Sequence, residues 1–310
     1  MFEFVADILS FFIKPIYTLV GDYGWTIIIF TILLKLATMP FTVKSQKSMA
    51  RMQQVQPLIN EIQRKYANNR EKMQQELMKV YDKYDISPTG GCMPLLLQMV
   101  ILMGFINIVY RPYTYLLGIS KATIASAATE LGLESVKFAN NQLSMVDYPE
   151  LMKMLNLTKD SLDINFLGID LSKVLSQNMG DWVMWILPVL ALAFTILSTV
   201  ISQKQATRHQ SEKQKNDPQA QQAAAMSKSM FIMMPLMTAW ITYTWPLGCA
   251  LYWIISTITQ IAQQVIINEF VVKKMKPIEL KKKKKKPQVK TEVIDVEAND
   301  NTTDEGEKND

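Results

Sequence analysis

The run Trp25–Val43, WTIIIFTILLKLATMPFTV, restricts what this chain can fold into more than any other stretch. It approaches the roughly 20 apolar residues that a helix needs to cross a bilayer, yet Lys35 sits near its middle. Thr31, Thr38 and Thr42 stand at −4, +3 and +7 from that lysine, and in a helix those offsets share one face. A cation in the hydrocarbon core costs about 2.5–3.5 kcal/mol on insertion scales. Whatever the fold, something must hydrate or pair that ammonium.

Four more apolar blocks follow: Met93–Tyr110, Trp182–Ile201, Met230–Trp245 and Ala250–Val271. The chain has 310 residues, 49% hydrophobic and 20% charged, and most of the charge lies between these blocks. That segregation predicts an all-α polytopic membrane protein with five transmembrane helices. A soluble fold would have to bury all five as core helices. With two cysteines (Cys92 and Cys249) and a single histidine (His209), a disulfide framework is excluded and soft ligands are too few for zinc. The cysteines head the second and fifth spans, on opposite sides of the membrane, and read as small apolar packing residues. His209 lies in a polar linker, so no membrane Ser/His hydrolase is indicated. Neither an enzyme nor a cofactor is expected.

Residues 1–24 do not read as a secretory signal, because Glu3 and Asp7 precede the first cation, Lys14. Phe4, Ile8 and Phe11 mark one helical face and Pro15 ends the pattern, which predicts a short amphipathic helix in the outer interface; an uncleaved anchor is the alternative. Lys and Arg then set orientation. Thr42–Cys92 holds nine, the 202–229 loop five and the tail after Val272 eleven, against six basic and eight acidic residues in 111–181. The N-terminus is therefore expected outside and the C-terminus in the cytoplasm. Within 44–89, Met52, Val55, Ile59, Ile62 and Tyr66 recur at helical spacing, as do Met73, Leu77, Val80 and Tyr84, with a turn at Ala67–Asn69. This predicts a cytoplasmic helical hairpin. Met49, Met73 and Met78 are either a soft docking surface or ordinary seam packing. The extracytoplasmic segment 111–181 should hold helix around Lys121–Leu133 and Pro149–Leu155. In the 272–310 tail, Lys273, Lys274, Lys276, Lys281, Lys282, Lys283, Lys284, Lys285 and Lys286 suit an anionic surface, either membrane lipid or ribosomal RNA, or act as a stop signal. The acidic end, Glu292–Asp310, reads as disordered.

Lys35 is read as having no intramembrane counter-ion, which argues against a proton relay. Nine residues separate it from Lys44, roughly 13 Å of helix, too far for comfortable snorkelling. A water-filled cavity is the better resolution. Its lining would come from Gln98, from Thr195, Ser198, Thr199 and Ser202, from Thr238 and Thr242, and from Trp253, Ser256, Gln260, Gln263 and Ile267. Gln98 and Asn107, nine positions apart, lie on opposite faces, so at most one meets the Lys35 stripe. The fourth span, Met230–Trp245, covers about 24 Å and should thin the bilayer around it. A cationic, hydrated groove that opens to the cytoplasm and stops partway is not a pore. It would ease an acidic client tail into the membrane while the attached apolar segment slides into lipid. That describes an insertase, and no ATP motif is present. The rival is a small-solute transporter or channel, for which the stripes offer no coupling acid.

Gly21–Tyr66, SPTGGCMPLLLQM (Ser87–Met99) and MMPLMTAWITYTWPLGCALYWIISTITQIAQQ (Met233–Gln264) closely resemble the YidC/Oxa/Alb membrane protein insertases, in the bacterial form without a large outer domain. The resemblance covers all five spans and the hairpin. It implies a five-span core around a cytoplasm-open hydrophilic groove, and nascent hydrophobic membrane proteins as clients. It further implies action in the bacterial cytoplasmic membrane, alone or beside the Sec translocon, with ribosome contacts through the hairpin, the loops and the tail, and no small-molecule substrate. By position, the family's groove arginine falls on Lys35, five residues before Pro40, and its client-contacting threonine on Thr31. The aromatic pair of the fifth span is Tyr252–Trp253. Lysine at 35 keeps the charge but loses the planar fork of donors. Two further departures are the lack of a lipobox cysteine near the N-terminus and the length of 111–181. The candidate groove residues are Lys35, Thr31, Thr38, Gln98, Tyr252, Trp253, Ser256 and Gln260.

Overall fold

The computed structural model describes residues 2–87, 93–158, 161–207 and 232–275. Its first helix, α1 (Phe2–Val20), buries Ala6, Leu9, Ile13 and Tyr17 in a single stripe. The Phe4–Ile8–Phe11 face lies on the other side of the helix and is exposed. The helix also continues through Pro15 rather than stopping there, since Ile13 and Tyr17 are held on either side of it. Gly21, at φ +73°, takes the left-handed turn that ends α1. Asp22 then caps α2 (Tyr23–Ala37), accepting the Trp25 N–H at 2.8 Å.

The apolar run that opened the sequence is not one straight helix. It stops at Ala37, turns by 54° and resumes as α3 (Met39–Lys65). Pro40 is the reason. It has no N–H to donate back to the preceding turn and its ring disfavours helix before it, while suiting the first turn of a new helix. Helix α3 runs on to a turn at Asn69, whose side chain accepts Lys72 N–H at 2.9 Å and starts α4 (Arg70–Lys83). Val55, Ile59, Ile62, Val80 and Ile86 form a small core of their own between the two helices, with Met73 against it. Met49 and Met78 are exposed.

Helix α5 (Met93–Tyr110) packs against α1. The contact depends on Gly104, where a Cβ would lie 2.6 Å from Val5 Cγ1. The 111–181 segment contains the short helices α6 (Pro112–Tyr115), α7 (Lys121–Glu130), α8 (Ser135–Asn140) and α9 (Pro149–Met154). It also contains a small two-stranded antiparallel hairpin, β1 (Asn165–Phe166) and β2 (Ile169–Asp170), in a fold that is otherwise helical, as an all-α membrane protein is expected to be. Ile124, Ala128, Phe138, Met145, Leu151 and Leu171 are buried and continuous with the core between the long helices. Glu3 on α1 ties this segment down through Arg111, which is buried, and Lys121. Hydrogen bonds from Lys121 and then Arg111 hold the Glu3 carboxyl down at about 2.

Asp181 caps the turn leading into α10 (Ile186–Thr207). Residues 232–244 form α11, and α12 (Leu247–Ile267) lies between α10 and α2 before ending in a wider turn, Asn268–Val272. Trp182–Gln205 and Leu247–Val272 are each long and apolar enough to cross a membrane. The bent α2–α3 pair qualifies as a broken span, and Leu96–Tyr110 is a shorter apolar helix.

One end of this arrangement is capped by the 111–181 segment. There Tyr23 N–H reaches Asp163 O at 3.2 Å, Leu247 N–H reaches Lys173 O at 2.9 Å and Gly248 N–H reaches Leu171 O at 2.9 Å. The first turns of α2 and α12 are thereby stitched to the two flanks of the β-hairpin.

Candidate functional site

Three helices bring polar side chains to one place among apolar neighbours. Lys35 lies in the last turn of α2, and its ammonium donates to Gln98 Oε1 on α5 at 3.0 Å. The other end of the same amide, Gln98 Nε2, donates to Tyr252 Oη at 2.8 Å and to Ser256 Oγ at 3.5 Å, both on α12. The Gln98 amide is thus oriented with its oxygen toward the cation and its N–H groups toward two hydroxyls. Lys35 is only half-buried, whereas Tyr252 and Ser256 are buried. Among the described residues the Lys35 ammonium has no carboxylate partner.

The wall behind this cluster is aromatic. Phe105 stacks on Tyr252 at 4.4 Å and on Phe30 at 6.1 Å, which fixes the Tyr252 ring so that its hydroxyl meets Gln98. From the other side Gln263 Nε2 donates to the backbone carbonyl of Lys35 at 2.7 Å. That carbonyl belongs to the last turn of α2, where the helix break removes its intrahelical partner. Thr38 Oγ1 donates to the same carbonyl at 3.2 Å and to Leu34 O at 3.0 Å.

The remaining expected site residues are distributed differently. Thr31 is fully buried and donates its hydroxyl to Ile27 O of its own helix at 2.6 Å, so it stands behind the cluster rather than in it. Trp253 turns to α10, its indole N–H donating to Thr195 Oγ1 at 3.1 Å. Gln260 is exposed and joins no hydrogen bond of the cluster among the described residues. Asn107, on the far face of α5, donates to Met103 O. Gln264 Nε2 links Ser202 at 3.1 Å and Gln205 at 3.0 Å, a second polar contact between α12 and α10. Gln263 stands out in the sequence as one member of the α12 stripe, but its acceptor is a main-chain atom that no side-chain pattern marks.

The fifth apolar run does contain one acid, Glu269, contrary to the reading that Lys35 meets no carboxylate in any span. It sits in the closing turn of α12 and pairs with Lys273, so Lys35 is left with the amide. Lys274 lies over the Phe270 ring, 5.6 Å from its centre. Lys276 and Lys281–Lys286 fall outside the described residues. At the bend between α2 and α3 an open hollow of about 580 Å³ is lined by Leu36, Met39, Pro40, Val43, Lys44 and Lys47. Among the described residues no three His, Cys, Asp or Glu side chains gather as a metal site would need. What the arrangement can do is present a half-exposed cation, held by the Gln98 amide and backed by two buried hydroxyls, to a polar group that approaches Lys35.

Comparison with known proteins gives this arrangement a lineage. A membrane protein insertase YidC from Caldanaerobacter subterraneus subsp. tengcongensis is 28% identical over 262 residues, 84% of this chain and 93% of the relative. One from Syntrophobacter fumaroxidans is 30% identical over 267 residues, 86% of this chain but 38% of the relative. One from Oleidesulfovibrio alaskensis reaches 44% identity over 103 residues, 33% of this chain and 19% of the relative. The chain therefore spans well under half the length of several of the relatives it matches. With residues 15–276 matching the 60Kd inner membrane protein family throughout, the chain belongs to that family and is a bacterial membrane protein.

Proposed function

We propose that this chain is an insertase that places newly made apolar proteins in the bacterial cytoplasmic membrane. Five spans (25–43, 93–110, 182–201, 230–245 and 250–271) surround a hydrophilic groove open to the cytoplasm, with the N-terminus outside. The observation that carries the reading is the Lys35–Gln98–Tyr252/Ser256 network, which joins α2, α5 and α12 around an ammonium with no carboxylate partner among the described residues. An acidic or polar client terminus is the natural occupant, because it meets a cation and oriented donors where lipid would offer neither. The client's own burial, worth about 25 cal/mol per Å² of apolar surface, drives the transfer. The α3–α4 hairpin and the basic tail receive the ribosome. The Sec translocon is a partner for larger clients, and membrane lipid is the medium into which they leave.

The test is insertion of a client with an acidic leading segment into vesicles that hold only the purified chain. At an effective dielectric of about 20, two charges about 6 Å apart interact by about 3 kcal/mol. That corresponds to roughly a hundredfold in rate if it is fully expressed in the barrier. Lys35→Arg should insert as well as wild type, Lys35→Gln should be slower, and Lys35→Glu slowest, with the order compressed for a client lacking acidic residues. Equal insertion by all four proteins would remove the cation from the mechanism. Passage of small solutes without client insertion would replace the reading with that of a channel.

A further inference from the structure

The β-hairpin of the 111–181 segment carries a side chain that serves nothing inside the fold. Register pairs Asn165 with Asp170 and Phe166 with Ile169, leaving Leu167 and Gly168 as a two-residue turn. Both have positive φ, +52° and +81°, the geometry of a turn that favours Asn, Asp or Gly at its first position. Leucine is a poor choice for that backbone. It is also 83% exposed, among the most open large apolar side chains described. The sequence thus holds an apolar group out at the tip despite a backbone cost.

The position of the tip identifies what meets it. Phe166, next to Leu167, lies against the first turn of α2. A Cβ on Gly24 would fall 2.2 Å from its ring, and Trp25 meets it edge-on at 5.8 Å. Trp25 is itself half-exposed and opens the apolar run of α2, while Trp182 and Trp185 stand exposed at the start of α10. Tryptophans at the ends of spans mark the boundary between headgroups and acyl chains. Through Phe166 the hairpin tip is therefore held next to the Trp25 end of that apolar run.

We propose that Leu167 and Trp25 form a wedge immersed in the lipid leaflet at the capped end of the helices. The hairpin is then a membrane anchor for the 111–181 segment. This rests on α2 crossing the bilayer and not on the insertase reading. Bound lipid accounts for both anomalies, because the side chain is exposed only with respect to protein, and its partition into acyl chains offsets the turn.

The full chain with Leu167→Cys, in a background of Cys92→Ser and Cys249→Ser, is labelled with an environment-sensitive nitrobenzoxadiazole dye. It is reconstituted in phosphatidylcholine–phosphatidylglycerol vesicles. Lipids spin-labelled high on the acyl chain should quench the dye at least twofold more than aqueous iodide does, with blue-shifted emission. Quenching by iodide alone would overturn the proposal in favour of a water-exposed loop. Quenching by neither would overturn it too, since the tip would then be covered by protein. Leu167→Asn, which suits the turn, gives an independent reading. It should leave the protein folded while raising protease cleavage between residues 163 and 170 in vesicles severalfold. Unchanged cleavage would likewise count against the anchor.

Discussion

Gln98 has two roles beside Lys35, accepting from the ammonium and donating to two hydroxyls. These roles separate by substitution. Gln98→Leu leaves the Tyr252 hydroxyl and the cation short of partners, at a cost of about 1–3 kcal/mol, which will read as a lower melting temperature of the purified protein. Gln98→Glu places a carboxylate beside the ammonium. On the proposed insertase reading it should melt no lower than wild type yet insert acidic clients about as poorly as Lys35→Gln, because the new carboxylate takes up the charge a client would meet. If both variants insert as wild type does, the amide is only structural. The sequence makes Lys35 and Gln98 conspicuous, since each is a polar group in an apolar run. It does not make Gln263 conspicuous, because the acceptor of Gln263 is a carbonyl released by a helix break. Thr31 has the right spacing for the stripe, but a threonine inside a helix can satisfy its hydroxyl on the carbonyl four residues back, and this one does.

The break between α2 and α3 illustrates why apolar length alone misjudges a span. Hydropathy reads Trp25–Val43 as continuous, and only the chemistry of Pro40 divides it. The 111–181 segment is harder still. Its core residues Ile124, Phe138, Met145, Leu151 and Leu171 come from five different short pieces, so no window contains a repeating pattern. Helix near 121–133 and 149–155 is legible from composition; the hairpin is not, because its strands are two residues each. Close approach at Gly24 provides the check on that packing. A methyl group there would meet the Phe166 ring at 2.2 Å, so Gly24→Ala must push the hairpin off α2 at a cost of about 1–3 kcal/mol. Limited proteolysis will detect it as new cutting near residue 167, with α10 and α12 left intact. No change in cutting would mean that the hairpin is held from elsewhere.

Alternation of apolar and charged stretches indicates a membrane protein from the sequence alone, and the packing adds how its parts are fastened. Glu3, Arg111 and Lys121 join the N-terminal helix to the end of α5 and to α7. The Glu3 carboxyl titrates at about 2 rather than near 4.5, so the folded state favours its ionised form. The stability it contributes is complete above about 4.5 and is lost as the pH falls from there toward 2. Melting temperature recorded from pH 7 down to 3 should drop along this limb in wild type. Glu3→Gln should start lower at pH 7 and change less. Parallel curves for the two proteins would assign the acid sensitivity to another group.

The bend at Thr38 has one more consequence. The carbonyl it frees is held by Gln263, and α3 beyond it packs against the closing turn of α12. The α3–α4 arm has a small core separate from the main one, and its root is fastened to α12 through the backbone of Lys35 itself. Whatever keeps the start of that arm in place thereby also keeps the charged residue in place.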